Sequence, residues 1–575
     1  MKNLFVATSF LLGIGFASAQ TSVAVEPMKD KDLMTWYHKD FAATNVYGIN
    51  TQNAYKYLES KGLKPKTVVV GVLDSGVEVN HPGLVKNMWK NPNEVPNNGK
   101  DDDGNGYVDD IHGWNFIGGK NGDIEADNLE VTRVVKKYQP IFEGPNSAQN
   151  KTNQSNMREE FDMYMKSKEI FNKKGIEAKQ SYQTYSKIDS LIPTMVSMLN
   201  GKNLTPENVS AIKPTTQDQA MSMQILSSIA SDPEFAGKTP AQVQVLLKEQ
   251  MKEAINHFEA QATKHYNLDF DPRASIVGDD YDDYYQKSYG NNNYEGPDAG
   301  HGTHVAGIIA GLPHGTEVQY GVASKVAKIM AVRTVPNGDE RDKDVANSIR
   351  YAVDNGAKIL NMSFGKPVSP GKKVVWDAFK YAQDKGVLLV KAAGNDNEDL
   401  AEHTYFPSNF KSSADAEPFI NNMIVVGAST KDAEFLRASF SNFNRKMVDV
   451  FAPGQEIYSP VPDAKYKYEQ GTSMASPVVA GAAAVLLAYM PNLKPQQIIE
   501  ALVKTANKSS VNAMLPTNTD NRFDLISKSG GVIDLRKAAE YAFTNFYKAA
   551  PSTMGKVPAK KPVVKKAPKK VIRKK

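Results

Sequence analysis

Gly471-Thr472-Ser473-Met474-Ala475-Ser476-Pro477 holds the residues of this 575-residue chain best placed to do chemistry. Glycine and threonine suit a tight turn, and the run of small apolar residues from Val478 to Leu487 reads as a buried helix. Ser473 then stands at a helix N-terminus, where backbone N–H groups point outward and the dipole favours negative charge. A hydroxyl there is well placed for nucleophilic attack that creates an oxyanion. Serine is also a common helix cap. Which role applies depends on whether a base, an orienting acid and a second oxyanion donor occur elsewhere. Val69 to Gly76 carries Asp74, His301 to Gly307 carries His301 and His304, and Ala392-Ala393-Gly394-Asn395 carries an amide.

With these four motifs in the order Asp, His, Asn, Ser, the chain resembles the subtilisin-like serine peptidase family. The resemblance implies an endopeptidase in which Ser473 attacks, His301 takes its proton and Asp74 orients the imidazole. His304, one helical turn on, is then a structural histidine. Asn395 is the implied oxyanion donor beside the Ser473 N–H, and one such donor is worth on the order of 100- to 1000-fold in turnover. On the residues alone, Asp74 could start a turn with Ser75-Gly76, and Asn395 could belong to a polar turn. Leu360 to Gly365 resembles the segment that pairs with substrate backbone, which makes Ser363, Gly365 and Gly394 the expected substrate-binding residues. Lys391 stands where many relatives have a small residue. Met474, beside the nucleophile, is expected to meet oxidants if the site is open.

Around these residues, runs such as Thr67–Leu73, Ala327–Val332, Ala357–Met362, Val387–Val390, Met423–Val426 and Met447–Phe451 are apolar along their length. Helical patterns fall between several of them, at Asp344–Asn355 and Lys373–Lys385. Such strands predict an α/β fold with a mainly parallel sheet covered on both faces, the three-layer fold that the resemblance implies. In these sheets, sites gather at the carboxyl ends of strands, where Asp74 and Asn395 fall.

Asp74 and His301 lie 227 positions apart, against a few tens in typical relatives. Residues 126–290 are therefore expected to form a mainly helical insertion that splits a catalytic domain of 66–125 and 291–545. Thr239-Pro240-Ala241-Gln242 has the form of a capping box. Val243, Leu247, Met251, Ala254, Ile255, Phe258 and Ala262 follow at helical spacing, and Phe161, Tyr164 and Met165 suggest an earlier helix.

Asp101, Asp103 and Asn105, followed by Gly106, match the first half of an EF-hand-type loop, with the Tyr107 carbonyl and Asp109 or Asp110 available to close it. The twelfth position is His112, so this is not a complete EF-hand. Alternating oxygen ligands suit structural calcium, and an acidic turn is the alternative. With no cysteine, the chain has no disulfides, thiolate catalysis or Cys-based zinc site.

Lys2, the apolar run Leu4–Phe16 and Ala17-Ser18-Ala19 read as a cleavable export signal over residues 1–19. No later stretch reads as apolar for long enough to span a membrane. Residues 20–65 look short for a folding pro-domain and are expected to pack on the catalytic domain. The net charge of +5 conceals ten Lys or Arg within 556–575, which leaves the remainder at about −5. A nucleic-acid-binding domain is thereby disfavoured. Residues 551–575 read as a disordered tail, with contact to an anionic cell surface as the sharper reading. The partners expected are protein or peptide substrates. The rival class is a binding protein on a dead peptidase fold, but all four catalytic positions are retained.

Overall fold

The computed structural model describes residues 30–516 and 521–547, so the signal segment and basic tail lie outside the described residues. The apolar runs form strands: β1 (Val68–Asp74), β2 (Gly113–Asn115), β3 (Ala327–Arg333), β4 (Ile359–Met362), β5 (Leu388–Ala392), β6 (Met423–Ser429) and β7 (Val450–Pro453). A separate hairpin, β8 (Ile457–Val461) and β9 (Lys465–Glu469), and two short strands, β10 (Asn507–Lys508) and β11 (Gly531–Val532), follow. The main sheet runs β10-β11-β7-β6-β5-β4-β1-β3-β2. Every pairing in it is parallel except β10 with β11.

Alternating side chains feed two cores. Val70, Val72, Val390 and Val426 face one, while Leu73, Leu360, Leu389 and Val425 face the other. An α/β architecture of three layers results. β1 sits between β4 and β3, so the chain reverses its direction of travel across the sheet there. A reversal of this kind opens a crevice at the strand ends.

Strand limits differ modestly from those expected. Ala357 and Lys358 precede β4, and β7 starts at Val450 because Val448 N–H turns back onto the Asn444 carbonyl at 3.1 Å.

The helices include α1 (Thr51–Ser60), α2 (Glu130–Phe142), α3 (Arg158–Met198), α4 (Gln217–Ile229), α5 (Pro240–Ala260), α6 (Gly300–Ala310), α7 (Asp342–Asp354), α8 (Lys372–Asp384), α9 (Thr472–Tyr489), α10 (Pro495–Lys504) and α11 (Leu535–Asn545). α6 and α9 supply one core, α7 and α8 the other. α9 is long and apolar enough to cross a membrane by length and composition, contrary to the sequence expectation. Its 18-residue window is 89% buried, however, which marks it as the central core helix.

Between β2 and α6, helices α3 to α5 enclose a core of their own, with Leu191, Ile192, Met195, Leu226, Val243 and Leu247 buried. The Thr239–Gln242 capping box is formed. α5 buries Val243, Leu247 and Met251, while Ala262 falls in the π-helical turn that follows. Tyr164 is buried as its spacing predicts, but Met165 is 45% exposed, because the inward stripe of α3 passes through its neighbour.

Trp36 and Tyr37 have no exposed surface, and their polar atoms bond the carbonyls of Glu456 and Tyr320, both at 3.0 Å. The segment from Trp36 to α1 is thus part of the main core.

Candidate active site

Asp74 closes β1, and its backbone carbonyl is held by the Thr334 and Val335 N–H groups. Its carboxylate is 2% exposed. Oδ1 accepts from the Ser75 N–H at 2.8 Å and from His301 Nδ1 at 2.7 Å. A carboxylate only accepts, so Nδ1 carries the proton and Nε2 is left to face outward. Oδ2 is buried without a partner among the described residues, which makes the imidazole the chief compensation for this charge.

His301 lies in the first turn of α6. Gly302 allows that turn to dock, because a Cβ there would lie 2.1 Å from the Gly76 carbonyl oxygen and 3.1 Å from Asp74 Cβ. Burial pulls the His301 pKa down, but the Asp74 carboxylate and its hydrogen bond outweigh this, with Glu469 and Asp298 adding to them. The net effect raises it from 6.5 to about 9.

His304 differs in every respect. It is fully buried, Nε2 donates to the Ile457 and Lys467 carbonyls at 3.1 and 3.2 Å, and burial pushes its pKa down to about 4. A neutral imidazole there pins the β8–β9 hairpin.

Ser473 occupies the first turn of α9, where no intrahelical carbonyl precedes its N–H. Its Oγ donates to the Ser363 carbonyl at 3.1 Å, and Ser363 Oγ donates back to the Ser473 carbonyl at 2.9 Å. This reciprocal pair ties the nucleophile turn to the end of β4. The hydroxyl therefore points to Ser363 instead of His301 Nε2 in this geometry. Such contacts are often unformed without substrate.

Asn395 Oδ1 accepts from Thr472 N–H at 2.8 Å and Thr472 Oγ1 at 3.0 Å. That orientation turns the Nδ2 donor toward the nucleophile turn: Nδ2 lies 3.5 Å from where a Gly471 Cβ would be. Asn442, which no sequence motif marks, shapes this loop through the Asp396 and Glu398 N–H groups.

A cleft of about 270 Å³ opens beside the Asp74–His301 pair. Asp74 and His301 close one end, Asn337 and Gly338 line one side, and Ser363 and Phe364 line the other. A roomier hollow of about 600 Å³ between α1 and α11 lies far from these groups and holds no comparable constellation.

Gly365 and Gly394 both face the ring of Tyr405, which lies 2.4 Å and 3.1 Å from the positions their Cβ atoms would take. Lys391 is 2% exposed, donates to the Ala392 carbonyl at 2.9 Å and sits 4.8 Å above that ring. Burial pushes its pKa down to about 7, against the pull of Glu340. Met474, expected to meet oxidants if the site is open, is 1% exposed and packs in the core.

In the acidic loop, Asp101 accepts from the Asn105 and Gly106 N–H groups, Asp103 from Asn105, and Asn105 Oδ1 from Tyr107. Asp110 is fully buried and accepts from Asn91, Asn105 and the Tyr351 hydroxyl, and burial raises its pKa to about 6. It stands outside the open cluster. Glu94, unmarked in the sequence, joins two of the expected ligands: ligand oxygens of Glu94, Asp101 and Asp103 lie within 4.8 Å of one another. Glu94 Oε1 accepts from Asp102 and Asp103 N–H groups, while Oε2 is buried with no partner among the described residues. An orphaned buried carboxylate oxygen beside two aspartates fits a hard divalent cation.

A model of the subtilase family matches residues 65–524. Subtilisin DY of Bacillus licheniformis is 37% identical over 209 residues, covering 36% of this chain and 70% of that protein. Thermitase of Thermoactinomyces vulgaris is 36% identical over 212 residues, 37% of this chain and 68% of that one. The cell wall-associated protease of Bacillus subtilis is 37% identical over 222 residues, 38% of this chain but 23% of its own length. A solved cold adapted subtilisin-like serine proteinase shares 32% identity over 41% of this chain and 72% of its own, with a TM-score of 0.31. The protein is a serine-type peptidase. It belongs to the subtilase family.

Proposed function

We propose that this chain is an exported endopeptidase acting through Asp74, His301 and Ser473. The observation that carries the reading is the 2.7 Å Asp74–His301 contact, opening on a cleft whose far wall, Ser363, is bonded to Ser473. On substrate binding, the Ser473 hydroxyl turns from the Ser363 carbonyl to His301 Nε2. Oγ attacks the scissile carbonyl carbon as its proton passes to Nε2, and Asp74 stabilises the resulting imidazolium. The carbonyl oxygen, now an oxyanion, accepts from Asn395 Nδ2 and the Ser473 N–H. Collapse breaks the C–N bond, His301 gives its proton to the leaving amine, and an acyl-enzyme remains. Water, deprotonated by His301, releases the acid product by the same steps reversed in role.

Ser363 and Gly365 are assigned to the substrate backbone, and Gly394 with them to the wall of the specificity pocket. Residues 126–290 are read as an insertion into the catalytic domain. Structural calcium is assigned to Glu94, Asp101 and Asp103, with Asn105 and Tyr107 beside them; it neutralises converging carboxylates and takes no part in bond cleavage. Export follows from the signal-like residues 1–19, and the basic tail is assigned to contact with an anionic cell surface.

Hydrolysis of a peptide substrate by the purified protein tests the central reading. Ser473→Ala is expected to lower kcat on the order of 10⁶-fold with the fold intact. Undiminished turnover in that variant contradicts it.

A further inference from the structure

The two walls of the cleft are joined behind it by one helix of the inserted segment. α2 is that helix. Glu130 is 1% exposed, and its Oε2 meets Lys366 Nζ at 2.6 Å, one residue past Gly365. Its own N–H donates to Asp339 Oδ2 at 2.8 Å, one residue past Gly338 on the opposite wall. Arg133 grips Glu130 through Nε and Nη2 at 3.2 and 2.8 Å. The same Nη2 reaches the carbonyls of Asp339 and Glu340 at 3.2 and 3.3 Å. Lys366 Nζ closes the ring, donating to the Glu340 carbonyl at 2.7 Å and pairing with Asp342 at 2.9 Å.

Each wall is held a second time. Asn337 N–H and carbonyl bond the backbone of Glu125 and Asp127 at 2.8 and 3.1 Å. Gly338, which follows, turns at a positive φ of 145° and packs so closely that a Cβ there would lie 2.3 Å from the Asp127 carbonyl oxygen. On the opposite wall, Lys166 of α3 donates to the Pro367 carbonyl at 3.0 Å, and Val368 is buried among Val131, Val134, Phe142 and Tyr164.

Buried charges held this way are poor stabilisers compared with apolar packing, but they fix geometry. Arginine's planar fork suits the purpose: it engages a carboxylate and two carbonyls at once. Burial raises the Glu130 pKa, but Arg133 and Lys366 hold the carboxyl well below the usual range, so the bracket stays charged throughout the neutral region.

We propose that Glu130, Arg133 and Lys366 form a positioning bracket that sets the separation of the 337–340 and 363–366 walls, and thereby the affinity for substrates extended along both. The inference rests on the peptidase reading. An extended peptide laid between two walls gains from main-chain bonds to both, and loses them when the walls drift apart. A substrate occupying only the immediate neighbourhood of Ser473 does not use them.

The test compares an acyl-tetrapeptide anilide with a single-residue acyl ester, in wild type, Arg133→Met and Arg133→Lys. Lysine keeps a charge beside Glu130 but cannot fork onto two carbonyls. The ratio of kcat/KM for the tetrapeptide over that for the ester is expected to fall about tenfold in both variants, mainly through KM. If Arg133→Met does not fold, Arg133→Lys alone decides. The proposal is overturned if a folded variant keeps the ratio within about twofold, since a merely structural role slows both substrates together. A wild-type protein that turns over neither substrate removes the peptidase reading, and the bracket's role with it.

Discussion

His301 must lose its second proton before it can accept one from Ser473, and the same Asp74 that orients it opposes that loss. Burial lowers the imidazole pKa, the carboxylate raises it further, and the net result lies above the ordinary 6.5. Activity therefore falls as pH drops through the raised value and is fully developed above it. Stability runs the other way: protonated His301 contributes below the unfolded pKa of 6.5, and the contribution is lost as pH rises through the folded value. Asp74→Asn removes both orientation and charge. It is expected to lower kcat about 10⁴-fold and to move the acid limb of kcat/KM to lower pH. An unmoved limb in a folded Asp74→Asn protein contradicts the assignment.

Among elements, the strands and α9 were the most legible, because a run that is apolar on both faces has few alternatives to a buried parallel strand or core helix. The ends were less so: Met447, Val448 and Asp449 read as strand but precede β7, since Met447 lies in a turn and Val448 N–H is committed to Asn444. The four catalytic candidates could be read because local motifs carry them. Glu94, Tyr405 and Asn442 could not: Glu94 lies outside the alternating run of ligands, and the other two act through residues distant in sequence. Asp110, marked by spacing, is tied in the fold to Asn91, Asn105 and Tyr351. The acidic loop makes its own prediction. Saturating calcium at a hundredfold its Kd is worth about 2.7 kcal/mol to the folded state. Chelation is expected to lower Tm accordingly in wild type, and much less in Glu94→Gln. A Tm indifferent to chelator in wild type removes the metal assignment.

On the scale of the whole molecule, segments remote in sequence share one core. The N-terminal stretch illustrates this: Trp36 has no exposed surface, bonds Glu456 and packs in the same cluster as α9. Trp36→Ala is expected to cost about 3–5 kcal/mol, read as a lower urea midpoint; an unchanged midpoint contradicts its place in the core. Helices α2 and α3 brace the cleft: α2 bonds residues behind both walls, and α3 bonds one of them. Little of that was legible, because Glu130, Arg133 and Lys366 are ordinary charged residues until the fold buries them together.

The central claim is that the hydroxyl of residue 473 is the activated nucleophile. Incubating the folded protein with a fluorophosphonate and mapping the adduct by mass spectrometry tests it most directly. The expected result is one stoichiometric adduct on Ser473, forming faster as pH rises and lost in His301→Ala. A folded, unmodified Ser473, or an adduct whose rate ignores His301, contradicts the account.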